Sequence, residues 1–389
     1  MVAAPTDALP RGRRLQFLDA LRGLAAVYVL VYHLAMLPQP HLELPRWAAL
    51  VASAGGTGVT LFFIVSAFSL YYTMPLRLKE ADPRLNFYVH RFFRIAPLFY
   101  FMIAVSMVRD VLVFGVWHSP LEIALSLGFV FNLVPTMQEG FVWAGWTIGV
   151  EMLFYAVFPL IYFRVRDTGR SIALCFVLLL AWMVAKLALE YMVMPGAWRQ
   201  SILQWSTLRH FPLFAVGIVV YHLYVAAEAR TVDGPARRGV GDALAWGGLF
   251  GFAALLNGWL PSIFGDNYYW QGVVFGCLFM GLALSPWRLV VNATTAWLGK
   301  ISYSVYLLHT TAIYLMIPVY RWLYATLPSL TLAFLAALAL TLAVVLPLSA
   351  LTYRLVEKPG IVLGKRLMAR WAARTARMAA GGAPTHGRS

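Results

Sequence analysis

The chain has 389 residues, 61% of them hydrophobic and 12% charged, with a mean hydropathy of +0.72. A soluble domain is about 45–50% apolar and about 25% charged, so this apolar excess is too large for one buried core; a water-soluble globule and a disordered chain are both excluded. Lys and Arg number 31 against 16 Asp and Glu, a net charge of +15. In so apolar a chain that excess belongs to basic loops and ends beside a bilayer, which makes membrane lipids the surroundings and argues against nucleic acid as a partner.

About 20 apolar residues cross a hydrocarbon core of roughly 30 Å at 1.5 Å per residue. Ten segments meet that length: 17–37, 57–75, 94–114, 143–163, 171–193, 205–226, 243–260, 268–286, 300–318 and 329–352. An eleventh, 119–137, opens with Ser119-Pro120, holds Glu122 and Asn132, and ends at Pro135. If it does not cross, one set of loops collects Arg11, Arg13 and Arg14, the Arg77–Arg94 group, Arg164/Arg166/Arg170, Arg230/Arg237/Arg238, Arg288/Lys300 and the C-terminal tail. The other set then holds only Arg46, Arg199, Arg321 and a marginal Arg109. Positive charge collects on the cytoplasmic side. The expectation is an all-α polytopic membrane protein with about ten transmembrane helices and both termini cytoplasmic. Segment 119–137 is then re-entrant or surface-lying on the outer side. Residues 1–14 form a cytoplasmic N-terminal segment, 15–360 the transmembrane domain, and 361–389 a basic cytoplasmic tail, read as amphipathic, lipid-facing and partly disordered. No internal repeat is visible, so an inverted-repeat transporter gains no support.

Ionisable side chains inside a membrane are costly and mark functional sites by default. In the first span Arg22 and His33 are eleven residues apart, close to three turns, so they share a face about 16 Å apart along the axis. Asp19 lies one turn before Arg22 and can orient it. The alternatives are a positive-inside flank for Arg22 and a structural polar group for His33. Arg91 and Arg94, spaced i, i+3 at the entrance of the third span, suit phosphate oxygens, which guanidinium forks bind bidentately; flank charge is the other reading. The fourth span carries Trp146-Thr-Ile-Gly-Val-Glu151. Glu151 and His33 lie at similar depths, which allows a carboxylate–imidazole pair that raises the basicity of the histidine; a structural hydrogen bond is the alternative. His210 and His222, near span ends, read as structural. In the ninth span Ser302, Tyr306 and His309 form a polar stripe, either hydrogen-bonded glue or a ligand contact. No Gly-x-x-x-x-Gly-Lys, paired-Cys or His-Glu-x-x-His motif occurs, and no metal is expected.

These residues in this order resemble the integral-membrane acyltransferase-3 family: Asp19-Ala-Leu-Arg-Gly and Arg22-x10-His33, Gly58-Val-Thr-Leu-Phe-Phe-Ile-Val-Ser66-Ala-Phe, Arg91-x-x-Arg94, Trp146-Thr-x-x-x-Glu151-x-x-Phe-Tyr, and Ile301-Ser-Tyr-x-x-Tyr-Leu-Leu-His309. The match runs over roughly residues 15–360, and the order and spacing of the motifs are more specific than any one of them. Ala67 stands where the family often has Gly. The chain is expected to be the stand-alone form, without the soluble SGNH-type hydrolase domain that some members carry.

The resemblance implies a multi-pass protein of the bacterial cytoplasmic (inner) membrane. It implies transfer of an acyl group, usually acetyl, from cytoplasmic acetyl-CoA to a hydroxyl of a surface glycan, such as a polysaccharide or lipopolysaccharide, or of its lipid-linked precursor. It assigns catalysis to His33 and donor-binding or supporting roles to Arg22, Arg91 and Arg94. On that reading three arginines hold the phosphates and the thin arm reaches His33, which acts as general base aided by Glu151, or takes the acyl group itself. Ser66 and Ser302 would line the conduit, and Tyr303 and Trp146 would contact donor or sugar. Two other functions stay open: acyl transfer to a small molecule such as a macrolide, and glycan transport without chemistry.

Overall fold

The computed structural model describes residues 15–80, 82–229, 234–262 and 267–381. The N-terminal segment with Arg11, Arg13 and Arg14, the loop residue Arg230, and the tail beyond 381 lie outside the described residues. Fourteen α-helices follow one another, and no strand occurs among the described residues. The early elements are α1 (Gln16–Met36), the short α2 (Arg46–Ser53), α3 (Gly58–Arg77) and α4 (Pro83–Arg109), which runs on through a π-helical turn (Asp110–Phe114). Next come α5 (Pro120–Leu127), α6 (Trp146–Arg164), α7 (Thr168–Tyr191), α8 (Gly196–Trp205) and α9 (Thr207–Ala229). The C-terminal part holds α10 (Pro235–Leu256), α11 (Tyr268–Leu284), α12 (Ala293–Thr326) and α13 (Leu330–Thr352), which passes through a second π-helical turn (Tyr353–Glu357) into α14 (Lys358–Gly381).

Each of the ten predicted spans falls on a helix. Among the described residues eight stretches are long and apolar enough to cross a bilayer; the apolar α11 (Tyr268–Leu284) is shorter than these. The tenth, α12, is 34 residues long but buries Ser302, Ser304, His309, Thr310 and Thr311 along its length. The protein is thus an all-α polytopic membrane protein. Burial sorts the helices: α7 buries only Ser171, Trp182 and Leu189, as expected where a helix faces lipid rather than protein.

Segment 119–137 does not form a span. The Ser119–Glu122 capping box starts α5, whose eight residues cover about 12 Å at the helical rise, far short of a bilayer. A turn and a 3-10 turn (Phe131–Leu133) follow. Asn132 and Gln138 exchange side chain-to-backbone hydrogen bonds, which satisfies the irregular backbone internally. This loop docks on α6: a Cβ on Gly149 would collide with Asn132 Oδ1, so only glycine lets the loop seat there.

The centre of the bundle is the parallel pair α1–α12, the most extensive helix contact in the molecule. Gly23 and Gly299 meet in it, and a Cβ on Gly299 would overlap the Asp19 carbonyl oxygen. The close approach sets the register that brings His33 to His309 ten residues further on. Helices α3, α4 and α6 complete a ring around a central cavity.

At the C-terminus, the stretch read as a partly disordered tail is helical as far as it is described. Helix α14 crosses residue 360 without a break and lays Gly360 and Gly364 on Pro97 and Phe93 of α4. Trp371 Nε1 donates to Asp82 Oδ2 over 2.9 Å. Glycine on that face lets the helix approach protein rather than lipid.

Candidate active site

The cavity measures about 520 Å³, within the usual range of small-molecule sites. It is lined along its length by polar side chains from five helices and the second π-helical turn. The order of its walls follows from the helical rise and the register of α1 against α12.

At one end stand Arg22, Arg91 and Arg94, with Lys300 beside them. Arg22 Nη2 donates to Ser69 Oγ over 2.7 Å, and Ser69 passes its own proton to the Val65 carbonyl. Arg94 forms an ion pair with Glu357, whose other oxygen accepts from Ser304 Oγ at 3.0 Å. Arg94 nonetheless keeps 34% side-chain exposure while Glu357 has none: the carboxylate holds one edge of the guanidinium and leaves the rest toward the cavity. Arg91 lies over the Tyr155 ring, 5.4 Å from its centroid, and its buried Nε has no hydrogen-bond partner. Tyr353 and Ile361, just before and within α14, close the wall at this end.

Midway, Ser66 Oγ donates to Glu151 Oε1 over 2.5 Å, and the Tyr155 hydroxyl donates to the same oxygen. Ser302 donates back to the Gly299 carbonyl. Tyr303 donates to the Ile95 carbonyl over 3.0 Å, with Arg94 above its ring. Near the far end Thr147 Oγ1 lies 3.1 Å from the Ala144 carbonyl and 3.0 Å from the Tyr306 hydroxyl. Thr147 is the donor to both, its one hydroxyl proton shared between the two acceptors.

One turn beyond Tyr306 is the histidine pair. His33 Nδ1 lies 3.0 Å from the Val29 carbonyl and 3.0 Å from His309 Nε2; His309 Nδ1 lies 3.1 Å from the Val305 carbonyl. Both Nδ1 atoms face carbonyls, so both carry the proton in the neutral rings. His309 Nε2 is then the second acceptor for the His33 Nδ1 proton. No described residue engages the lone pair of His33 Nε2, and His33 is only part-buried.

The expected pairing of Glu151 with His33 is not what the structure contains. Thr147 meets Tyr306, Glu151 lies one turn from Thr147 away from the histidines, and His309 one turn from Tyr306 on the other side. At 1.5 Å per residue the two groups are roughly 10 Å apart along the bundle. The depths expected from the sequence are not matched in the bundle, because the Thr147–Tyr306 contact places α6 so that Glu151 falls on the arginine side of it and His309 on the other. Glu151 lines the cavity, whereas His33 and His309 stand beyond its end and Trp146 lies outside it: the Trp146 ring packs on Trp205 and His210 at 5.0 and 4.8 Å. His210 itself is buried and bonded to the Tyr268 hydroxyl at 2.6 Å.

Several site residues escaped the sequence reading. Ser69 and Tyr155 carried a signal, lying one turn from Ser66 and Glu151 on their own helices. Glu357 had only its isolation as one acid in a basic stretch. Arg109, counted as a marginal loop charge, is buried beside the histidine end. It donates to Asp110 at 2.7 Å, Thr311 at 3.0 Å and the Phe141 carbonyl at 3.2 Å, and lies 3.7 Å from the Trp143 ring centroid. Asp110 in turn meets His118 at 2.8 Å. The network ties α4, α12 and the loop beyond α5 together.

Residues 15–350 match the acyltransferase domain family Acyl_transf_3, and the chain belongs to it. It is similar to the acyltransferase MdmB of Streptomyces mycarofaciens, 29% identical over 168 residues, which is 40% of this chain and 41% of that protein. The chain therefore matches less than half the length of that relative. It is also similar to the exopolysaccharide production protein ExoZ of Rhizobium meliloti (strain 1021), 28% identical over 273 residues, 67% of this chain and 77% of the relative. No solved structure matches.

Proposed function

We propose that this membrane acyltransferase moves an acyl group, acetyl by first choice, from acyl-CoA to a hydroxyl of a surface glycan or its lipid-linked precursor. The observation that carries the reading is the polarity of the cavity: arginines gather at one end, and an imidazole with an unengaged nitrogen stands one turn beyond the other. Arg22, Arg91 and Arg94 suit the phosphates of the donor. The roughly 16 Å along α1 from Arg22 to His33 is of the order of the thin arm that carries the thioester. The name of the exopolysaccharide-production relative supports a glycan acceptor.

In this mechanism His33 Nε2 takes the proton of the acceptor hydroxyl as its oxygen attacks the thioester carbonyl. The C–O bond forms, the C–S bond breaks, and the coenzyme leaves as thiolate, which recovers a proton. His309 steadies the imidazolium through His33 Nδ1. The arginine end faces the cytoplasm, in keeping with the positive-inside distribution of the loops.

The test is acyl transfer by purified protein from labelled acetyl-CoA. His33→Ala is expected to lose transfer by about 10²–10⁴-fold, the usual contribution of a positioned general base, at unchanged expression and thermal stability. Undiminished transfer would remove His33 from catalysis, and absence of transfer by the wild-type protein would remove the donor.

A further inference from the structure

Glu151 has no part in that chemistry, since it stands roughly two helical turns from the histidine pair. Its surroundings are nonetheless built. Ser66 Oγ and the Tyr155 hydroxyl both donate to Oε1 and lie 3.2 Å from each other, so the carboxylate is held from one side. The other oxygen, Oε2, receives no hydrogen bond from any described residue, although Glu151 lines the cavity. No described cation pairs with it: Arg22 donates to Ser69, Arg94 pairs with Glu357, and Arg91 lies over the Tyr155 ring. A carboxylate oxygen held at the cavity wall with no protein donor is an acceptor that an N–H group of a ligand entering the cavity can use.

We propose that Glu151 Oε2 accepts a hydrogen bond from an amide N–H of the donor's pantetheine arm. Glu151 is then a donor-binding residue rather than the partner of His33. The inference rests on the acyl-CoA reading. Pantetheine is an amide chain with two N–H groups between thioester and pyrophosphate. With the phosphates at the arginines and the thioester at His33, Glu151 lies between the two ends of the arm. No bond is made or broken at Glu151. Its effect is on donor affinity and on the register that delivers the thioester.

The experiment uses the full-length protein with acetyl-CoA and two analogues, each with an ester oxygen in place of one amide N–H, measured on wild type and Glu151→Gln. Glutamine keeps the acceptor for Ser66 and Tyr155, and the analogues probe the wild-type protein without any substitution. One analogue is expected to raise the donor KM about tenfold in the wild type with kcat little changed, the scale of a hydrogen bond to a charged group. Glu151→Gln is expected to raise KM for acetyl-CoA similarly and to make that analogue cost nothing further. If neither analogue changes KM, if the two losses multiply, or if Glu151→Gln lowers kcat at unchanged KM, the inference falls while the donor reading stands. If the wild-type protein neither binds nor uses acetyl-CoA, both fall.

Discussion

His33 and His309 are chemically alike and structurally unequal. Each gives its Nδ1 proton to the carbonyl one turn back, but His309 Nε2 is consumed by His33, whereas no described residue engages His33 Nε2. In the proposed mechanism that asymmetry makes His33 the base and His309 a positioning residue. Replacing His309 by Leu is expected to lower kcat roughly tenfold, about 1.4 kcal/mol, with the donor KM unchanged. His309→Gln, which restores an acceptor, should recover part of the loss. The effect is bounded because the Val29 carbonyl still fixes the His33 tautomer. A Leu variant with full kcat would mean that the second acceptor is idle. None of this was readable from the sequence beyond the presence of two histidines, since hydrogen-bond partners 276 positions apart leave no local signal. Arg94 teaches the same lesson, its buried counter-ion standing 263 positions away.

At the scale of elements, the α1–α12 contact decides whether those side chains meet. Gly299→Ala would drive a methyl group into the Asp19 carbonyl, and helix backbones, unlike flexible side chains, give way only by separating. We expect a destabilisation of about 1–3 kcal/mol, the usual range for overpacking, read as a lower thermal midpoint in detergent, together with loss of transfer as His309 moves from His33. Gly247→Ala is the control: a Cβ there meets nothing within 4 Å, and alanine favours helix by about 1 kcal/mol over glycine. Equal midpoints for the two variants would show that the contact does not limit stability. Helix positions were legible from apolar run length. The docking of segment 119–137 on Gly149 and of α14 on α4 was not, because both depend on small residues whose value lies in what approaches them.

The whole molecule is organised by two distributions, apolar length and charge. The first puts ten helices where the sequence puts ten spans. The second implies sidedness: a reporter fused after Arg166 is expected to read cytoplasmic and one near Pro195 periplasmic. One crossing, α7, separates those two points, and the short α5 ahead of both, which does not cross, sets the side on which each falls. A cytoplasmic signal near Pro195 with a periplasmic one after Arg166 would overturn the orientation, and the same compartment at both would mean that α7 does not cross. Composition and periodicity alone determined that the chain is an all-α membrane protein, where its helices run, and that Arg22 and His33 share a face, since each rests on spacing within one helix. Tertiary structure decided that His33 faces His309 rather than Glu151, that Glu357 holds Arg94, and that Arg109 is interior. Those are contacts between helices, set by backbone approach at glycines and by the few kcal/mol that a buried charge without a partner would cost.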